Sequence, residues 1–244
     1  MSNEASNDNL ILISGITGTG KSASLMSLRN DPGIVYANCE AGKKLPFKHK
    51  FKEVIVTDPM IIFDIFQEAE EDDSIHTIVI DTATYLMDMV ESQYVLTAEN
   101  KMTAWSDYAQ FFKKLLQESV ASSTKNVIIL AHTKELLNET EGVLEVKVPI
   151  KGALANQGVE SYFSCVVSTK KMLLKDLKDY ENDYLNITEE DEIVGYKHVF
   201  QTRITKKTIN ERIRSPIGMW DVKETYIDND IGILLKVLHE YYED

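Results

Sequence analysis

The run "LILISGITGTGKS", residues 10–22, constrains this chain more than any other stretch. Within it, Gly15–Ser22 matches G-x-x-x-x-G-K-[ST] at every fixed position. An apolar strand-like segment precedes the match and helix-compatible residues, Lys21 to Arg29, follow it, which is the context the motif requires. Such a loop turns its backbone N–H groups inward around phosphates, and the following helix adds its partial positive charge. Lys21 then reaches the β/γ oxygens and Ser22 supplies a magnesium ligand. Gly15, Thr17, Gly18, Thr19, Gly20, Lys21, Ser22 and Ala23 are the candidate nucleotide contacts, with ATP and Mg2+ as the implied ligands. The bland alternative is a glycine-rich turn.

The rest of the chain fits that start. "GIVYAN" (33–38), "EVIVTD" (53–58), "TIVID" (77–81) and "NVIILAH" (126–132) read as short buried strands. Between them, Ile62, Ile65, Phe66 and Ala69 share one helical face, and Trp105, Tyr108, Phe112, Leu115 and Leu116 share another. Alternating strands and helices predict an α/β class: a three-layer phosphate-loop fold whose mostly parallel sheet is covered on both faces. At 244 residues the chain suits one large domain, residues 10–244, behind a disordered tail at 1–9. Residues 133–158 read as a long loop or loose hairpin, and "YFSCVVSTKK" and "YKHVFQTRI" as later strands. The stretch 176–195 reads as an exposed acidic excursion. Ile231, Leu234, Leu235 and Leu238 form one face of a closing helix.

Composition removes several classes. No apolar run approaches the ~18 to 20 residues of a membrane span, and the polar start "MSNEASNDN" is no secretion signal, so a cytoplasmic protein with no membrane partner is expected. The only cysteines, Cys39 and Cys165, are assigned to packing. A net charge of −13 argues against coating nucleic acid by bulk electrostatics, so any phosphate-binding surface must be a local patch. Three patches stand out: Lys43, Lys44, Lys48, Lys50 and Lys52; Lys170, Lys171 and Lys175; and Arg203, Lys206, Lys207, Arg212 and Arg214.

Phosphoryl transfer needs a second acid on the magnesium side, and Asp81, ending a buried strand, fits. Glu40, after the strand that follows the phosphate loop, is the candidate for orienting or deprotonating the attacking water. His132, at the end of "VIILAH", stands where a polar side chain meets a γ-phosphate.

The order of these parts resembles the RecA-type ATPase core from residue 10 to about 220. More closely, "IDTATYLMDMV", "WSDYAQFFKKLL", "ILAHTKE", "PIKGALANQGVESYFSCVV" and "TRITKKTINERIRSP" resemble compact bacteriophage nucleotide-binding proteins related to recombinases. That resemblance implies a DNA-dependent ATPase of recombination, single-strand annealing or repair, which binds single-stranded DNA as an ATP-bridged homo-oligomer, a ring or a filament. An ssDNA-binding protein or a replication protein is an implied further partner. The catalytic glutamate would be Glu40 and the γ-phosphate sensor His132. DNA-binding loops would fall near 92–104 and 133–152, the second carrying Glu135, Glu139, Glu141 and Glu145 against Lys134, Lys147 and Lys151. Arg203, Lys206, Lys207, Arg212 and Arg214 are candidates for a finger reaching a neighbouring subunit's ATP. The alternatives are a nucleotide-controlled replication or assembly accessory, a helicase-like motor, and a small-molecule phosphotransferase. The last lacks an arginine-rich lid, since no arginine lies between Arg29 and Arg203.

Overall fold

The computed structural model describes residues 7–139, 142–155 and 157–243. Most of the expected tail (residues 1–6) and Glu141 of the expected second loop lie outside these. Asn7 departs from the tail expectation: it is buried, its amide nitrogen donates to the Ala121 carbonyl and its side chain to the Lys125 carbonyl, so the chain is tied down before the first strand.

Eight strands form one sheet in the order β10-β9-β8-β1-β5-β4-β2-β3. They are β1 (Leu10–Gly15), β2 (Ile34–Asn38), β3 (Lys52–Ile55), β4 (Thr77–Asp81), β5 (Asn126–His132), β8 (Cys165–Leu173), β9 (Tyr196–Gln201) and β10 (Tyr226–Asp228). β6 (Lys134–Asn138) and β7 (Val143–Lys147) pair separately as an antiparallel hairpin, in the region expected to be a loop or loose hairpin. Pairing is parallel from β8 through β3, while β9 and β10 add antiparallel at one edge.

Strand alternation divides the core into two layers. Leu10, Leu12, Ile78, Ile80, Val127 and Ile129 face α1 (Ile61–Glu71), α2 (Ala83–Val90) and α3 (Lys101–Lys114). Ile11, Ile13, Val79, Ile128 and Leu130 face the other way, towards α6 (Ile231–Glu243) and a tight 3-10 helix at Ser22–Leu28. The helix expected after the phosphate loop, from Lys21 to Arg29, is present over Ser22–Leu28 and winds as a 3-10 helix. α3 starts where the Asn100 side chain accepts the amides of Met102 and Thr103, satisfying two orphan donors of its first turn. Two short helices, α4 (Leu174–Leu177) at its start and α5 (Glu189–Val194) near its end, lie in the acidic stretch, which is mostly exposed. No described helix is long and apolar enough to cross a membrane.

Leu12 is fully buried at the centre of the sheet. Leu12→Ala is expected to cost about 2–5 kcal/mol, by lost transfer energy plus the cavity left behind, read as a lower urea midpoint at unchanged slope.

Candidate functional site

The parallel strands deliver their carboxyl ends to one edge, and the candidate residues arrive with them. Gly15 pairs in register with His132, and Asn38 with Asp81, so the phosphate loop, Glu40, Asp81 and His132 meet where open α/β sheets place their ligands. A cleft of about 400 Å³ is lined by Lys21, Ser22, Glu40, Asp81 and His132 together. A larger groove of about 660 Å³, mostly apolar, lies near Phe63, Tyr94 and Phe111 on the helical face. Volume alone does not select the site; the convergence of charged and titratable groups does.

Within the cleft, Lys21 is buried and its Nζ donates to the carbonyls of Gly15 and Ile16, both at 2.9 Å. Burial pushes this amine down to about 8, against the pull of Asp81 and Glu40. Oδ2 of Asp81 accepts from Ser22 Oγ and Tyr36 Oη, each at 2.8 Å, while its buried Oδ1 has no partner among the described residues. Burial raises the Asp81 carboxyl and those two hydrogen bonds oppose the rise. A buried carboxylate oxygen left unpaired beside a serine hydroxyl is a donor set suited to a hard divalent cation that keeps its waters. Among the described residues there is no cluster of three His, Cys, Asp or Glu to cage a metal unaided, so the cation's remaining ligands would come from phosphate and water.

The chain leaves β2 through Ala41 and Gly42, with φ of 54° and 77°, a conformation non-glycine residues rarely adopt. This turn, with the Glu40 amide held on Asn38 Oδ1 at 3.0 Å, keeps Glu40 at the cleft wall. Glu40 Oε2 takes Lys43 Nζ at 2.5 Å, and its Oε1 lies 3.7 Å from His132 Nε2. His132 Nδ1 sits 3.5 Å from Thr17 Oγ1, and burial, with Lys21 nearby, lowers its pKa.

A family model described as an AAA domain matches residues 7–201. The chain belongs to the AAA-domain family. It is a P-loop ATPase, and its three-layer architecture, with a mixed and largely parallel sheet, is a RecA-like P-loop fold. Among solved structures, a KaiC-like protein from the hyperthermophilic archaeon Pyrococcus horikoshii OT3 is similar, at 13% identity over 83% of this chain and 82% of that one, with a TM-score of 0.46. A search of curated proteins finds no match.

In this AAA-domain ATPase, the side chains of the loop divide between two sides. Thr17, Gly18, Gly20, Lys21, Ser22 and Ala23 line the cleft. Gly15 and Thr19, also expected as contacts, lie at the back of the loop. Thr19 Oγ1 is engaged by the Ile16 carbonyl and Thr169 Oγ1, and a Cβ on Gly15 would fall 2.2 Å from that same Thr169 oxygen.

The basic segment does not line this cleft. Arg203 donates to the Trp220 carbonyl, Lys206 and Lys207 are exposed beside it, and Arg214 is exposed with its backbone paired to Val166. Arg212 is committed within its own chain, to the Gln157 carbonyl, Glu145 and Glu160, so it is the candidate finger least free to reach a neighbour. The expected first DNA loop, 92–104, is largely helical: a π turn over Glu91–Val95 extends α2, and α3 begins at Lys101. Sequence reasoning missed Tyr36, whose hydroxyl sits on Asp81, and it missed His198 and Asn229, which reach the loop from the antiparallel edge. Each looks like an ordinary strand or turn residue, with no local signal of its role.

Proposed function

We propose that this ATPase is DNA-dependent, of the recombination or single-strand annealing kind found in bacteriophages, and that it grips single-stranded DNA as a homo-oligomer with ATP at subunit boundaries. Lys21 moves from the Gly15 and Ile16 carbonyls onto the β/γ oxygens, and the loop amides hold the phosphate chain. Mg2+, when bound, neutralises charge developing on the phosphate oxygens; Ser22 and Asp81 are the residues that would hold it. Glu40 orients the attacking water and accepts its proton. Arg203, Lys206, Lys207 and Arg214 remain the exposed candidates for a contact to a neighbour's ATP. An ssDNA-binding or replication protein is the further partner this reading allows.

The observation that carries the reading is the position of His132. It lies between Thr17 and Glu40 in the cleft, and one residue, Thr133, separates it from the hairpin β6–β7. The hairpin in turn holds the basic segment: Val146 N–H donates to the Asn210 carbonyl, and Arg212 pairs with Glu145. Loss of the γ-phosphate at His132 therefore has a short covalent path to a projecting element whose paired residues Leu137 and Leu144 are exposed. Hydrolysis in this scheme resets a DNA grip.

ATP turnover by the purified chain, with and without single-stranded DNA, tests the proposal. Turnover that rises severalfold with DNA supports it. Turnover indifferent to DNA would overturn it and shift the reading to a nucleotide-controlled accessory with protein partners, which the −13 charge would suit.

A further inference from the structure

The antiparallel edge of the sheet reaches across to the phosphate loop at two consecutive peptide groups. Nδ1 of His198, on β9, lies 2.7 Å from the Thr19 carbonyl oxygen. Nδ2 of Asn229, just after β10, lies 2.9 Å from the Gly20 carbonyl oxygen. A carbonyl only accepts, so the imidazole must carry its proton on Nδ1, which fixes the tautomer. The next residue, Asp230, accepts from Ser27 Oγ at 2.5 Å and so holds the helical turn that follows the loop.

The geometry of the peptide unit gives these contacts a consequence. In a planar trans peptide the C=O and the following N–H point in opposite directions. Holding the Thr19 carbonyl on His198 therefore fixes the direction of the Gly20 N–H, and the Gly20 carbonyl, which accepts both Asn229 Nδ2 and the Ser24 amide at 3.0 Å, fixes that of Lys21. Those two amides belong to the half of the loop that must face phosphate. The fit is close: a Cβ added to Gly20, at φ +108°, would stand 2.7 Å from Asn229 Nδ2 and 3.2 Å from His198 Nδ1. His198 also lines the cleft itself. Asn229 is tethered in turn, since its neighbour Asp228 pairs with Lys197 at 3.3 Å and accepts the Asn186 amide at 3.1 Å.

We propose that His198 and Asn229 are positioning residues that preorganise the phosphate loop, so that its amides are already aimed at a nucleoside triphosphate before it arrives. Preorganisation of this kind acts on affinity by sparing the ordering cost of binding. The proposal rests on nucleotide binding by the loop and not on the DNA reading, so DNA-indifferent turnover leaves it standing.

The test compares His198→Ala, His198→Asn and His198→Gln with the unaltered chain. Asparagine places an amide N–H close to the position of Nδ1, whereas the longer glutamine reaches towards Nε2. Loss of one hydrogen bond to the loop is expected to weaken binding of a slowly hydrolysed ATP analogue with Mg2+ about tenfold in His198→Ala, with a smaller change in kcat than in KM. His198→Asn is expected to restore most of that affinity and His198→Gln little of it. Asn229→Ala is expected to show the same split through Gly20 in smaller measure, because the Ser24 amide keeps its bond to the Gly20 carbonyl, and it serves where a His198 variant does not fold. Unaltered affinity in His198→Ala overturns the proposal. So does a loss that His198→Asn shares in full while melting temperatures fall together, because that pattern describes packing and not aim.

Discussion

Replacing Lys21 by alanine is expected to lower ATP turnover at least about 100-fold, the scale seen when a donor aimed at developing negative charge is removed. The chain can keep its fold through this change, because the amine's hydrogen bonds among the described residues go to the carbonyls of Gly15 and Ile16, at the loop itself. The cleft, in contrast, would lose the one deeply buried cation among its described residues. Burial has already pushed Lys21 down to about 8, so its charge is expensive to maintain there and is held by Asp81 and Glu40. A triphosphate offers more negative charge than either carboxylate, which is why the amine should leave the loop carbonyls when ATP enters. Steady-state hydrolysis together with a thermal melt checks this: turnover should collapse while the melting temperature shifts by only a few degrees. A variant that still turns over ATP at more than a tenth of the normal rate would remove Lys21 from the chemistry.

Glu40→Gln should separate binding from hydrolysis. Glutamine keeps the size and can keep the contact to Lys43, but it cannot accept a proton from water. Loss of a general base is expected to cost about 10²–10⁴ in kcat, with ATP affinity little changed. The surroundings of Glu40 support this division. Its backbone amide is fixed by Asn38, the turn through Ala41 and Gly42 directs it, and Lys43 and His132 contact its two carboxylate oxygens separately. Single-turnover hydrolysis beside equilibrium ATP binding reads both quantities. Equal losses in the two would recast Glu40 as a residue that shapes the cleft.

Much of this was legible in the sequence, and unevenly so. "TIVID" and "NVIILAH" form strands over the expected residues, because a run of buried β-branched side chains leaves a central parallel strand little choice. The buried face of α1 also follows from spacing alone, with Ile62, Ile65, Phe66 and Ala69 all in the core. Glu40, Asp81 and His132 could be picked out because each ends such a strand, and a parallel sheet gathers those ends at one edge. The antiparallel edge was legible only in part: "YKHVFQTRI" reads as a strand and β9 forms within it, but its pairing and the whole of β10 escaped notice. β9 and β10 are placed by long-range pairing, and the contacts of His198 with Thr19 and of Asn229 with Gly20 span 179 and 209 residues. The 3-10 character of Ser22–Leu28 was equally invisible, since its residues suit an α-helix and its tighter winding accompanies packing against the far layer, which α6 shares. Gly15 and Thr19 match the motif yet face Thr169, a division of the loop that depends on which strand lies behind it.

On the proposed function, nucleotide state in the cleft is passed through His132 to the hairpin and the basic segment it carries. Binding of a fluorescent single-stranded oligonucleotide by the Glu40→Gln chain, in ATP and then in ADP, measures it most directly, because hydrolysis cannot blur the two states. Binding at least about tenfold tighter in ATP is expected, with the difference lost when His132→Ala is added, a coupling within the usual allosteric range. Equal binding in ATP and ADP, or a difference that survives His132→Ala, would contradict it.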